Sequence, residues 1–162
     1  MEREISQNKA RQGKFGEYAV IAKILSQEMD VDVCLPIFAN QKGFDLVVHQ
    51  DSFLRVQVKT TELNNDSTNN AQKVDLSSFD ILIIVECRGN DDPCFYILNQ
   101  RDIDALRSEI ENNKRGRKRK IVSLDNNQVE CCKLPLSRMV NGSKQLYTTI
   151  ENCRDAWHKL LV

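Results

Sequence analysis

Two short runs constrain this chain more than anything else in it. They are Gly43-Phe44-Asp45-Leu46-Val47-Val48 and Leu54-Arg55-Val56-Gln57-Val58-Lys59. Both alternate apolar and polar residues, the period of a strand with one buried face. Phe44, Leu46 and Val48 share one face of the first, and Leu54, Val56 and Val58 share one face of the second. The opposite faces carry Asp45, and Arg55, Gln57 and Lys59. The pattern predicts a β-hairpin with a loop around Gln50 to Ser52. Asp45 and Gln57 face the same side only if that loop has an odd number of residues. A loop of three or five sets them directly opposite, at about 5 Å, the cross-strand spacing that lets both touch one ion.

The rest of the chain supplies a frame for that hairpin. Arg11 to Met29 reads as a helix, with Phe15, Ala19, Ala22, Leu25 (or Ile24) and Met29 at helical spacing. Gly13 and Gly16 near its start allow another backbone to approach closely. Val31 to Leu35 is a strand ended by Pro36. Phe79 to Cys87 is almost continuously apolar, which predicts a central strand buried on both faces. Gly89 to Pro93 is a turn, Cys94 to Leu98 a further strand, and Arg101 to Asn113 an amphipathic helix through Ile103, Leu106 and Ile110. Lys120 to Leu124 and Val129 to Leu134 are short strands around an Asp125-Asn126-Asn127 turn. Ile150 to Leu161 reads as a closing helix bearing Trp157. With 162 residues and no linker or repeat, the expectation is one domain over 1–162 of α/β class, a mixed β-sheet flanked by helices.

Composition excludes several classes. No run approaches the roughly 18 apolar residues of a membrane helix, so no membrane partner is expected. The charged start Met1-Glu2-Arg3-Glu4 is not followed by an apolar stretch, which argues against a secretory signal and for a reducing compartment. The six cysteines then read as small, mostly buried hydrophobes rather than disulfides, and no Cys-x-x-Cys spacing suggests zinc. Net charge is zero but unevenly spread. Through Asn113 there are 12 Lys/Arg against 19 Asp/Glu, and from Lys114 onward 11 against 4. The excess comes chiefly from Lys114, Arg115, Arg117, Lys118, Arg119 and Lys120. Such a run is either a solvated loop or a contact for a polyanion, and phosphate contact is the reading adopted.

The chemistry follows from the residue types. Hydrolysing a phosphodiester needs a cation to offset phosphate charge, an aimed water and help in deprotonating it. Asp45 offers a carboxylate, Gln57 a neutral amide oxygen and Lys59 an amine for a water or phosphate oxygen. Glu17, early on the first helix, supplies a second carboxylate if that helix packs beside the hairpin, and Gly16 permits such packing. His49 reads as a surface histidine, Trp157 and His158 as packing or oligomer contacts, and Tyr18 as core or interface. The Asn64 to Asn70 loop is either an idle connection or a reader of adenine edges.

Gly16-Glu17 on a helix, Gly43-Phe44-Asp45 on a strand and Val56-Gln57-Val58-Lys59 on the next resemble the PD-(D/E)xK nuclease superfamily, over roughly Arg11 to Leu98. Among its branches the chain is most similar to small bacterial group I intron-encoded homing endonucleases, with Holliday-junction resolvases more distant. The resemblance implies a restriction-endonuclease-like core at about 11–98 with a basic, DNA-contacting part at about 99–162. It implies sequence-specific cleavage of double-stranded DNA with Mg2+, for which Mn2+ would substitute, by a homo-oligomer (dimer or tetramer) in the bacterial cytosol or nucleoid. Glu17, Asp45 and Gln57 would hold the metal and Lys59 would be the catalytic lysine. Gln57 departs from the usual second acid and should weaken metal binding unless Glu17 compensates. A junction resolvase, or a DNA-binding protein of the same fold without catalysis, are the alternatives.

Overall fold

The computed structural model describes residues 2–36, 43–62, 72–87, 92–112, 122–124, 130–134 and 148–161. Helix α1 runs Glu2–Ser26, about 37 Å at 1.5 Å per residue. Its end is marked by the Ser26 hydroxyl donating to Lys23 O at 2.8 Å and by Glu28 turning the chain at φ 51°. Strands β1 (Asp32–Cys34), β2 (Leu46–His49) and β3 (Phe53–Glu62) form an antiparallel meander. After β4 (Gln72–Asp75), β5 (Ile81–Cys87) lies parallel to β3, and β6 (Cys94–Asn99) pairs antiparallel with β5. The five-stranded mixed sheet has the order β1-β2-β3-β5-β6.

The expected α/β fold is therefore present, and β5 has a neighbour on each side. Every residue of β5 from Ile81 to Glu86 is buried. Each face of the sheet has its own core. On one, Val20 and Ile24 of α1 meet Leu46, Val48, Val56, Ile83 and Ile97. On the other, Ile103 and Leu106 of α2 (Gln100–Asn112) meet Leu82, Ile84 and Leu98. Fully burying each such Leu or Ile contributes about 1.5–3 kcal/mol. Helix α2 starts with a reciprocal cap: Asp102 N–H donates to Asn99 Oδ1 at 3.0 Å and Asn99 N–H to Asp102 Oδ2 at 2.9 Å.

Several details differ from the sequence reading. The buried stripe of α1 is Gly16, Val20 and Ile24, whereas Phe15 and Leu25 are exposed. Tyr18 is 61% exposed, so it is not core. Close approach selects the smallest residue: a Cβ at Gly16 would lie 1.9 Å from Thr60 Oγ1. Phe44 packs on the α2 side, away from Leu46 and Val48, because β2 begins only at Leu46 and a bend at Asp45 breaks the alternation.

The expected closing helix is two pieces, α3 (Thr148–Asn152) and a 3-10 turn at Trp157–Leu160. Between them the chain lays itself along β6. Ile97 N–H donates to Cys153 O at 2.8 Å and Asp155 N–H to Phe95 O at 2.9 Å, and Asp155 then turns at φ 48°. Trp157 is buried against Phe95 as expected for packing, with ring centroids 5.2 Å apart. Lys159 ties this end to α2 through Asp102 Oδ2 at 2.8 Å.

Strand β4 was not anticipated. It joins β8 (Glu130–Leu134) and β7 (Val122–Leu124) in a second, three-stranded sheet, order β4-β8-β7. Cys34 is exposed, against the expectation of buried thiols, whereas Cys153 is buried. Among the described residues, no helix is long and apolar enough to cross a membrane. The basic run at 114–120 and the 64–70 loop lie outside the described residues.

Candidate active site

The hairpin register is the odd-loop register. Leu46 pairs with Val56, Val47 with Arg55, Val48 with Leu54 and His49 with Phe53, so three residues form the loop and Asp45 continues the same register toward Gln57. Asp45 itself lies just before β2. Its backbone N–H donates to Val56 O at 2.8 Å, and its carboxylate then takes over where the strand pairing stops. Oδ2 accepts the Val58 backbone N–H at 2.7 Å and the Gln57 side-chain amide. Strand N–H groups point in the sheet plane, so this carboxylate sits at the exposed edge of β3, within reach of both faces.

Gln57 and Lys59 occupy the α2 face, because their β5 partners, Leu82 and Ile84, belong to that core. Both are half-buried, and Lys59 has no hydrogen bond or ion pair among the described residues. Arg55 is on the same face but is committed elsewhere. Its Nη2 bonds Asp80 Oδ1 at 2.9 Å and its Nε bonds Oδ2 at 3.1 Å, and hydrogen bonding to Arg55 holds the Asp80 carboxyl below its usual range. His49 is a half-buried histidine stacked on exposed Phe53 at 4.3 Å.

Glu17 comes from the other face. Gly16 in contact with Thr60 brings α1 down onto β3, and Glu17 follows it with its side chain only 14% exposed. Its carboxylate accepts from Lys14 Nζ at 2.6 Å. That hydrogen bond raises the Lys14 pKa above the ordinary lysine value, and attraction to Glu17 and Asp45 adds to it. Lys14 thus links the two acids electrostatically. The sequence reading missed it, although its i, i+3 spacing from Glu17 was visible. Also missed was Glu86, fully buried on the α2 face, whose carboxylate accepts from Tyr96 Oη at 2.9 Å. Burial, followed by this hydrogen bond, pushes the Tyr96 phenol well above its ordinary range.

The donors suit a hard divalent cation. Two carboxylates and an amide offer oxygen, and both Asp45 side-chain bonds fall on Oδ2, leaving Oδ1 without a partner among the described residues. Among the described residues, no group of three or more His, Cys, Asp or Glu could hold a metal.

A five-stranded mixed sheet of this order, with helices on both faces, is the restriction-endonuclease-like fold. The family model described as PD-(D/E)XK endonuclease matches residues 7–126, and the chain belongs to that family. Among solved structures, that of the bacterial homing endonuclease I-Ssp6803I is similar over 94% of this chain and 92% of its own, with a TM-score of 0.55. At 17% identity that likeness shows the fold. No curated protein matches the sequence significantly.

Proposed function

We propose that the protein is a magnesium-dependent, sequence-specific endonuclease of double-stranded DNA, similar in role to a homing endonuclease. The observation that carries this is the meeting of Asp45 with Gln57 where β2 stops and β3 runs on, inside the residues matched to the nuclease family. The structural neighbour's description as a bacterial homing endonuclease supports the specific activity.

In this reading Glu17, Asp45 and Gln57 would hold Mg2+, with Mn2+ as a substitute, Gln57 through its amide oxygen. The bound ion would offset phosphate charge and lower the pKa of a bound water. Lys59 holds a phosphate oxygen or the attacking water from the α2 face. Asp45 is kept in place by Val58 N–H, so its orientation does not depend on substrate. Lys114, Arg115, Arg117, Lys118, Arg119 and Lys120 contact phosphates and position the duplex without reading bases. One such site cuts one strand, so a double-strand break takes two copies related by symmetry, in a dimer or tetramer. A place in the bacterial cytosol or nucleoid belongs to the same reading.

Incubation with genomic or plasmid DNA and Mg2+, with the ends mapped, tests the proposal. Ends at one recurring sequence support it. Cutting of four-way junctions irrespective of sequence points to a resolvase instead. Salt-sensitive DNA binding with no cutting in Mg2+ or Mn2+ points to a binding protein.

A further inference from the structure

We propose that Lys14 is a built-in competitor for the metal site: its ammonium is held on the Glu17 carboxylate and opposes a divalent ion that binds there. The inference rests on the reading of Glu17 and Asp45 as metal ligands.

Three observations carry it. Lys14 Nζ lies 2.6 Å from Glu17 Oε2, a full charge-assisted hydrogen bond. The same ammonium is also attracted by Asp45, more weakly than by Glu17, which it bonds directly. The partners also differ in access. Glu17 is held near the sheet with 14% of its side chain exposed, whereas Lys14 is 66% exposed. Glu17 is therefore the fixed member, and Lys14 approaches from solvent and can leave toward it.

Lys14 bonds only Oε2 of Glu17, but a positive charge held on one oxygen repels a divalent cation arriving at the same carboxylate. Metal affinity in the absence of DNA is therefore lower than the donor set alone would give. An exposed pair of this kind lowers affinity by about two- to fivefold.

The test is Mn2+ binding to the full-length chain without DNA, read from the free-ion electron paramagnetic resonance signal. Lys14→Met should tighten binding by about two- to fivefold. Lys14→Arg should stay near wild type, and Lys23→Met on the same helix should change nothing. In a Glu17→Gln background, which itself binds more weakly, Lys14→Met should have no further effect. If Lys14→Met leaves affinity unchanged while Glu17→Gln weakens it, the competitor role is wrong and the metal-site reading stands. A gain of the same size in the Glu17→Gln background also overturns it, since that gain reflects a general field. If neither Glu17→Gln nor Asp45→Asn weakens Mn2+ binding, the metal-site reading fails and the inference fails with it.

Discussion

The backbone N–H of Val58 donates to the Asp45 carboxylate at 2.7 Å. A side chain thereby stands in for strand pairing at the point where β2 ends, and a structural hydrogen bond and a candidate metal ligand are one group. The two roles separate by substitution. Asp45→Ala leaves a strand N–H without its acceptor, which costs about 1–3 kcal/mol. At roughly 2–4 °C per kcal/mol for a chain of this size, thermal unfolding should shift by several degrees. Asp45→Asn keeps an oxygen for Val58 and should melt within about 1 kcal/mol of wild type, yet lose metal binding and cleavage.

Gln57→Glu introduces an acid of the kind that the PD-(D/E)XK description names two residues before the lysine. Without metal it sets a second carboxylate against Asp45 and removes the amide donor that Asp45 now accepts. Like charges at hydrogen-bonding distance disfavour the doubly ionised form. The variant should melt lower than wild type in chelator, by about 1–2 kcal/mol, and gain more from added Mg2+ than wild type gains. Thermal melts with and without Mg2+ check this; equal Mg2+ gains for the two proteins contradict a ligand role for residue 57.

Gly16→Ala is expected to move α1. The added Cβ would lie 1.9 Å from Thr60 Oγ1 and 3.2 Å from Thr60 Cβ, and a β-branched side chain in a strand has little room to turn away. Overpacking of this kind costs about 1–3 kcal/mol. Because Glu17 rides on the same turn, Mn2+ affinity should fall as well. Gly16→Ala with Thr60→Ala should recover part of both losses, measured by melting and by metal titration.

How much of this was legible varies with the physics involved. The hairpin, its odd loop and the Asp45–Gln57 pairing could be read because a period of two leaves only two faces to choose between. The α1 face could be read only in part. Of Phe15, Ala19, Ala22, Leu25 (or Ile24) and Met29, Ile24 is buried and Ala19 and Met29 pack beside it, but Phe15 and Leu25 are exposed and the helix packs through Gly16, Val20 and Ile24, since only Gly fits against Thr60. The break before Trp157 depends on hydrogen bonds with Phe95 O, which accepts from Asp155, and Ile97 N–H, which donates to Cys153, both distant in sequence. Strand β4, Gln72-Lys73-Val74-Asp75, has one apolar residue, Val74, and owes its state to pairing with β8. Lys14 was legible as a partner of Glu17, but its tie to Asp45 needed the packing of α1 on β3.

The Arg55–Asp80 pair predicts a pH dependence. The folded Asp80 pKa is lowered, by Arg55 first of all. Its contribution is therefore present above the unfolded value of 3.8 and is lost as pH falls through the lower folded value. With about a third of the Asp80 side chain exposed, the contribution should stay below about 1 kcal/mol. Melting temperatures of wild type and Asp80→Asn should differ at about pH 6, and the difference should shrink as pH falls below 3.8.

The central claim is that Lys59 works on DNA from the same face as Gln57. Lys59→Ala and wild type should be compared on a cleavable DNA with Mg2+, with DNA binding measured in parallel. The account predicts binding within a few-fold of wild type and cleavage reduced by at least about a hundredfold, the scale of losing one aimed electrostatic or proton-handling group. Undiminished cleavage by Lys59→Ala would contradict it.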